Sequence, residues 1–199
     1  MVSIDWLIPV TVFGLTAVAT PGPNNVMLTA SGVNFGFRRT VPHMLGIAIG
    51  FAVMNLGVGL GLGQVFETFP QIHLVLKYTS IAYLVFLAWK IATAGQAKGD
   101  EARAKPFSFL QAAAFQWVNP KAWVIAVGAV ATFTTVGGDL LLEVMLMSFI
   151  FLLVTFPSAT TWTFFGTVIA RYLHTPVRLR AFNWSMAGLL LLSLIPAML

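Results

Sequence analysis

The chain has 199 residues, of which 58% are hydrophobic and 9% charged, with a formal net charge of +5 and no cysteine. Soluble domains carry roughly 25% charged residues, so a soluble globular class is excluded, and the lack of cysteine excludes disulfides and thiolate metal centres. The basic residues are spread over short loops between apolar runs rather than gathered in one patch, which argues against nucleic acid as a partner.

Apolar segments of the length a bilayer core demands, about 20 residues, recur along the chain. They predict an all-α integral membrane protein with a single transmembrane domain over residues 1–199. The first segment runs from Ile4 to Asn34 and is interrupted at Pro21. Ala17-Val18-Ala19 imitates a signal-peptide cleavage site, but Asp5 stands where a positive n-region belongs, so this helix is expected to be retained. The second segment spans Val41 to Gly63 and the third Ile72 to Ala94. A polar linker, residues 95–106, follows. The fourth segment spans Phe107 to Thr135, interrupted at Asn119-Pro120; the fifth spans Leu140 to Ala170, with Pro157 inside; the sixth spans Ala181 to Leu199.

Arg38 and Arg39 fall in the first loop, Lys90, Lys98, Arg103 and Lys105 in or beside the third, and Arg171, Arg178 and Arg180 in the fifth. The positive-inside rule therefore puts loops one, three and five in the cytoplasm and both termini outside. Three segments precede the linker and three follow it. An odd number per half means that related halves, residues 1–95 and 106–199, form a 3+3 inverted repeat. Helices 1 and 4 then correspond, and both are the interrupted ones, which is the best sequence pointer to a transporter's binding site.

The first interruption reads Thr20-Pro21-Gly22-Pro23-Asn24-Asn25. Proline removes a donor and pushes its predecessor out of the helical region, so several backbone groups lose their partners here. In lipid each would cost several kcal/mol, and such backbone is tolerated only against protein or a watery cavity. Pro23 suits the first position of a new helix, whose amides at Asn24, Asn25 and Val26 would form a site for a carboxylate. Asn119, Pro120 and Lys121 repeat the pattern in the fourth segment. Lys121 is the one Lys or Arg deep in a predicted span, and such a cation marks a functional site. Its partner could be a substrate carboxylate or the carbonyls freed by the first break. At 1.5 Å per residue the two breaks lie about 24 and 18 Å along their helices, close enough to share a cavity.

Other features carry plainer readings. Pro157 lies near hydroxyl residues that could patch a kink. Thr11, Thr16 and Thr20 either line a path or bond their own backbone. Asn55 reads as an interhelical hydrogen bond. Gly46-xxx-Gly50 and Gly57-xxx-Gly61 are small-residue motifs, for packing inside the bundle or for a dimer or sliding face. His43, His73 and His174 fall at predicted loop edges without ligand spacing, so no metal and no cofactor is assigned.

"TPGPNNVMLTASGVNFGFRRTVPHMLGIAIGF" (20–51), "AYLVFLAWKIATAG" (82–95) and "PFSFLQAAAFQWVNPKAW" (106–123) resemble the LysE/RhtB family of bacterial amino-acid exporters, over essentially the whole chain. The resemblance implies a multi-pass protein of the bacterial cytoplasmic membrane that exports amino acids or close derivatives, driven by the proton gradient, and leaves a homodimer open. The family's Pro-Gly-Pro signature falls on Pro21, Gly22 and Pro23, its polar pair on Asn24 and Asn25, and its Asn-Pro-Lys on Asn119, Pro120 and Lys121. The closest branch in appearance is the threonine/homoserine and cysteine/O-acetylserine one, since no acid lies deep in a span to meet a cationic substrate. The same absence leaves the proton carrier unnamed and a gradient-driven facilitator as an alternative. An intramembrane enzyme would need a nucleophile with its base, or a metal cluster; Ser31 and His43 are the nearest pair, and no motif surrounds them. A non-transporting scaffold would not need paired broken helices.

Overall fold

The computed structural model, which describes residues 4–62, 68, 70–94, 105–135, 137–193 and 195, is built from helices and contains no strand among those residues. Helix α1 (Ile4–Ala19) ends at the Pro-Gly-Pro break and α2 (Pro23–Phe35) resumes after it, bent by 55°. Gly36, with φ +77, supplies the left-handed residue that separates α2 from α3 (Phe37–Gly57). Helix α3 loosens into a π turn at Val58–Leu62, where Gly61 has φ +116. Helix α4 covers Pro70–Ala92. Ser108 starts α5 (Phe109–Gln116) with a reciprocal capping box: its hydroxyl accepts from the Gln111 amide at 3.2 Å, and Gln111 Oε1 accepts from the Ser108 amide at 3.1 Å. Asn119 caps α6 (Pro120–Phe133), Asp139 caps α7 (Leu140–Ala170) and Thr175 caps α8 (Pro176–Leu192). Pro120 and Pro176 each follow their cap directly, where a missing N–H costs nothing.

The distribution of side chains is the reverse of a water-soluble fold. Asn25, His43, Asn55, Gln116, Asn119 and Asn183 are buried, while Phe149, Phe164, Leu110 and Val124 stand out from the bundle, the last two about three-quarters exposed at 75% and 73%. Large apolar side chains outside and hydrogen-bonded amides inside are what a hydrocarbon solvent selects. Three helices, Phe37–Gly61, Leu74–Ala92 and Leu140–Ala170, are long and apolar enough to cross a membrane, and α1 with α2 makes a fourth if the bent pair is one span. The fourth expected segment is split into helices of 8 and 14 residues. The sixth starts earlier than expected, at Pro176, because Thr175 and Pro176 form a cap that hydropathy does not register.

Helix α7 is the hub, packed against α1, α2 and α3, with α5 on α3 and α4 on α8. Glycine makes the closest crossings. A Cβ on Gly32 would run into the Thr163 carbonyl, and one on Gly166 into the Thr29 carbonyl, so α2 and α7 touch backbone to backbone. Gly46 and Gly50 face Phe109, Ala112 and Ala113 of α5. That motif packs inside this chain, which removes it from consideration as a dimer face. Pro157 does not break α7. His43 is not at a loop edge: it is fully buried one turn into α3, because the helix begins at Phe37 rather than Val41. The side chain of His73 lies outside the described residues.

Candidate functional site

The site is assembled around the α1–α2 break. Gly22 is fully extended (φ 177, ψ −180), and no side chain caps the start of α2. The first helical amide bond there runs from Val26 N–H to the Gly22 carbonyl, 3.0 Å, so the amides of Asn24 and Asn25 precede the ladder and have no carbonyl four residues back. The carbonyls at the end of α1 are served by side chains instead. Asn25 folds back and donates from Nδ2 to the Val18 carbonyl (2.9 Å) and the Thr20 carbonyl (2.8 Å). Ser158 of α7 donates to the Val18 carbonyl at 3.1 Å.

Lys121 completes this arrangement from the other break. Its Nζ donates to the Thr20 carbonyl (2.8 Å), the Thr20 hydroxyl (2.7 Å) and the Pro21 carbonyl (3.2 Å). Of the two partners named from the sequence, the freed carbonyls of Thr20 and Pro21 are the ones it meets in this structure. Asn119 holds the lysine in place: its Oδ1 accepts from the Lys121 amide at 3.2 Å, and it is itself 2% exposed. Gly22 is the floor under the aliphatic stem, with Lys121 Cδ 2.7 Å from where a Cβ would stand. The lysine ammonium thus occupies a cradle of oxygens that any primary ammonium would fit.

The two breaks border one cleft. Gly22, Asn24, Asn25, Asn119 and Lys121 all line it. Thr20 and Pro21 meet it through Lys121. Pro23 and Pro120 are not on its wall; each starts a helix. Lys121 is the one titratable residue among those lining the cleft. Thr155 of α7 adds a polar group, since its hydroxyl is buried, lines the cleft and has no partner. Groups of three or more potential metal ligands do not occur among the described residues.

Sequence reasoning missed three contributors. Gln116 is fully buried and pairs reciprocally with Asn24, at 2.9 Å from Asn24 Nδ2 to Gln116 Oε1 and 3.1 Å in return, which ties α5 to α2 beside the cleft. An amide side chain one turn before Asn119-Pro120 in an apolar run was the available signal. Ser158 and Thr155 are among the hydroxyl residues near Pro157; both line the cleft, and Ser158 also meets the end of α1. Thr11 and Thr16 of α1, and Thr20 just after it, do bond their own backbone, to Leu7, Val12 and Ala17, and Asn55 does bond across helices, to Ser148 at 2.9 Å.

Comparison with known proteins adds the following. The LysE type translocator family matches residues 15–194. Cysteine/O-acetylserine efflux proteins of Escherichia coli strain K12, Shigella sonnei and Shigella flexneri are each 38% identical over 122 residues, covering 61% of this chain and 62% of the relative. The chain thus matches less than two thirds of the length of these curated relatives. No solved structure matches.

Proposed function

Since this chain belongs to the LysE type translocator family, we propose that it exports a small neutral amino acid, or a close derivative such as O-acetylserine, across the bacterial cytoplasmic membrane. The cleft between the two breaks is the substrate site in this reading, and Thr20, Pro21, Gly22, Pro23, Asn24, Asn25, Asn119, Pro120 and Lys121 build it. The observation that carries the reading is the seat of Lys121 on three oxygens of the α1–α2 break.

A zwitterion can exchange places with that lysine. Its ammonium takes the oxygens of Thr20 and Pro21, and its carboxylate meets the displaced Lys121 ammonium and the uncapped amides of Asn24 and Asn25. The exchange adds no net charge to the cleft, so no acid in the span is required. The empty carrier is then held together by Lys121 standing in for the substrate, which lets it return after release. Six spans in a 3+3 inverted repeat, with both termini outside, give the two halves that rock around this site. Proton drive is assigned to Lys121, the one titratable side chain lining the cleft.

Counterflow of labelled O-acetylserine in proteoliposomes tests the function. The intact protein exchanges label, and Lys121→Met inserts but loses exchange by at least about 30-fold, the equivalent of about 2 kcal/mol for a lost charge-assisted contact. Full exchange by Lys121→Met overturns the role of the lysine. Export that never runs uphill and that a protonophore leaves unchanged makes the protein a facilitator.

A further inference from the structure

Helix α2 has a second cavity on its other side. The central cleft touches Asn24, Asn25 and Leu28; the second touches Met27, Ala30, Ser31 and Asn34, and is closed by α3, α4 and the segment leading into α5. Its volume is about 790 Å³ counting its mouth, and it holds His43, Lys90 and Lys105.

His43 is the informative residue. It is 0% exposed, its ring lies 5.3 Å from that of Phe107, and its Nδ1 is 3.2 Å from Ser31 Oγ. Its Nε2 is buried without any partner. The Ser31 hydroxyl has one acceptor in reach, His43 Nδ1, so the arrangement that satisfies its hydrogen has Ser31 donating and the ring proton on Nε2. A buried N–H left unpaired costs about 1–3 kcal/mol and calls for a ligand acceptor. The Lys90 ammonium stands 5.3 Å from the Phe86 ring centroid and 6.0 Å from that of Phe107, the ring that also lies against His43. Among the described lining residues there are two cations and no acid. An apolar-walled recess with one sign of charge concentrates anions.

We propose that this cavity is a second, anion-binding site that takes the carboxylate of a small organic solute, with His43 Nε2–H as the buried donor and Lys90 and Lys105 as the charges at its mouth. That mouth lies on the side that the distribution of basic residues assigns to the cytoplasm, so the site loads substrate before it reaches the central cleft. The identification of the solute with the exported amino acid rests on the function proposed above; the anion site itself does not.

The chain contains three histidines, which makes the ring nitrogens of His43 readable by NMR of the full chain labelled with 15N-histidine in phosphatidylcholine nanodiscs. The probe is O-acetylserine, with its methyl ester as the control lacking a carboxylate, and His43→Phe assigns the resonance. O-acetylserine shifts the His43 signal and the ester does not. Lys90→Met with Lys105→Met raises the midpoint at least about tenfold, whereas Lys121→Met leaves it in place. Both lysines are exposed, so that double variant keeps the fold. A silent His43, an equal response to the ester, or a shift seen only with phosphatidylglycerol in the bilayer overturns the inference, the last in favour of a lipid headgroup. Counterflow in the intact protein with a silent His43 defeats this site alone; a responsive His43 without counterflow defeats the transport reading alone.

Discussion

Gly22→Ala separates the role of Lys121 as a stand-in from its role as a substrate contact. Gly22 has an extended backbone that any residue adopts, so the substitution introduces no dihedral strain. The new Cβ would instead lie 2.7 Å from Lys121 Cδ and 3.1 Å from its Nζ. Ordinary contact begins near 3.4 Å, so the stem must retreat by about 0.7 Å, and it can, being flexible. Bonds of 2.7, 2.8 and 3.2 Å from one nitrogen cannot all survive that retreat. Charge-assisted bonds are worth about 1.5–3 kcal/mol each when dry; with the site half-open and partly screened, losing two amounts to about 2 kcal/mol in all. The empty carrier should therefore return about 30-fold more slowly. A loaded carrier needs no seated lysine, so exchange should fall by no more than about fivefold, the equivalent of about 1 kcal/mol. The assay is net efflux against counterflow in the same proteoliposomes. Equal loss of both, or of neither, refutes the stand-in argument.

Two further substitutions probe the walls of the cleft. Thr155→Val removes a buried hydroxyl that has no partner in a shape-conserving way, so thermal stability should rise slightly while the half-saturating O-acetylserine concentration increases about 3- to 10-fold; unchanged affinity assigns the hydroxyl no ligand. Gln116→Leu should lower the melting temperature by about 3–10 °C by stranding Asn24, and Asn24→Leu with Gln116→Leu should recover part of that loss, measured by dye-reported unfolding in detergent.

The helices were largely legible because hydropathy and proline are local signals. The interruption at Pro21 and the one at Asn119-Pro120 follow from the chemistry of proline alone, and the structure breaks within a residue or two of each. The fifth segment matches end to end, Leu140 to Ala170, since Asp139 marks its start and polar residues its end. Start positions were less legible where a cap replaces an apolar signal, as at Thr175-Pro176. Contacts across the bundle were the least legible. That Lys121 reaches residues 100 and 101 positions away is a product of tertiary packing, and the sequence left its partner open. Gly46 and Gly50 have the same spacing whether they meet α5 or another copy; only the coordinates show Ala112 and Ala113 against them. Gln116 was overlooked because one amide in an apolar helix carries no pattern until Asn24 stands opposite.

The central claim is that the cleft between the two broken helices holds the substrate, and the lack of cysteine makes it directly measurable. Ser158→Cys changes one atom on the wall that α7 contributes. The account predicts that a small thiol reagent alkylates this cysteine and that saturating O-acetylserine slows the reaction at least about tenfold while its methyl ester does not. Alkylation at the same rate with and without O-acetylserine would contradict it.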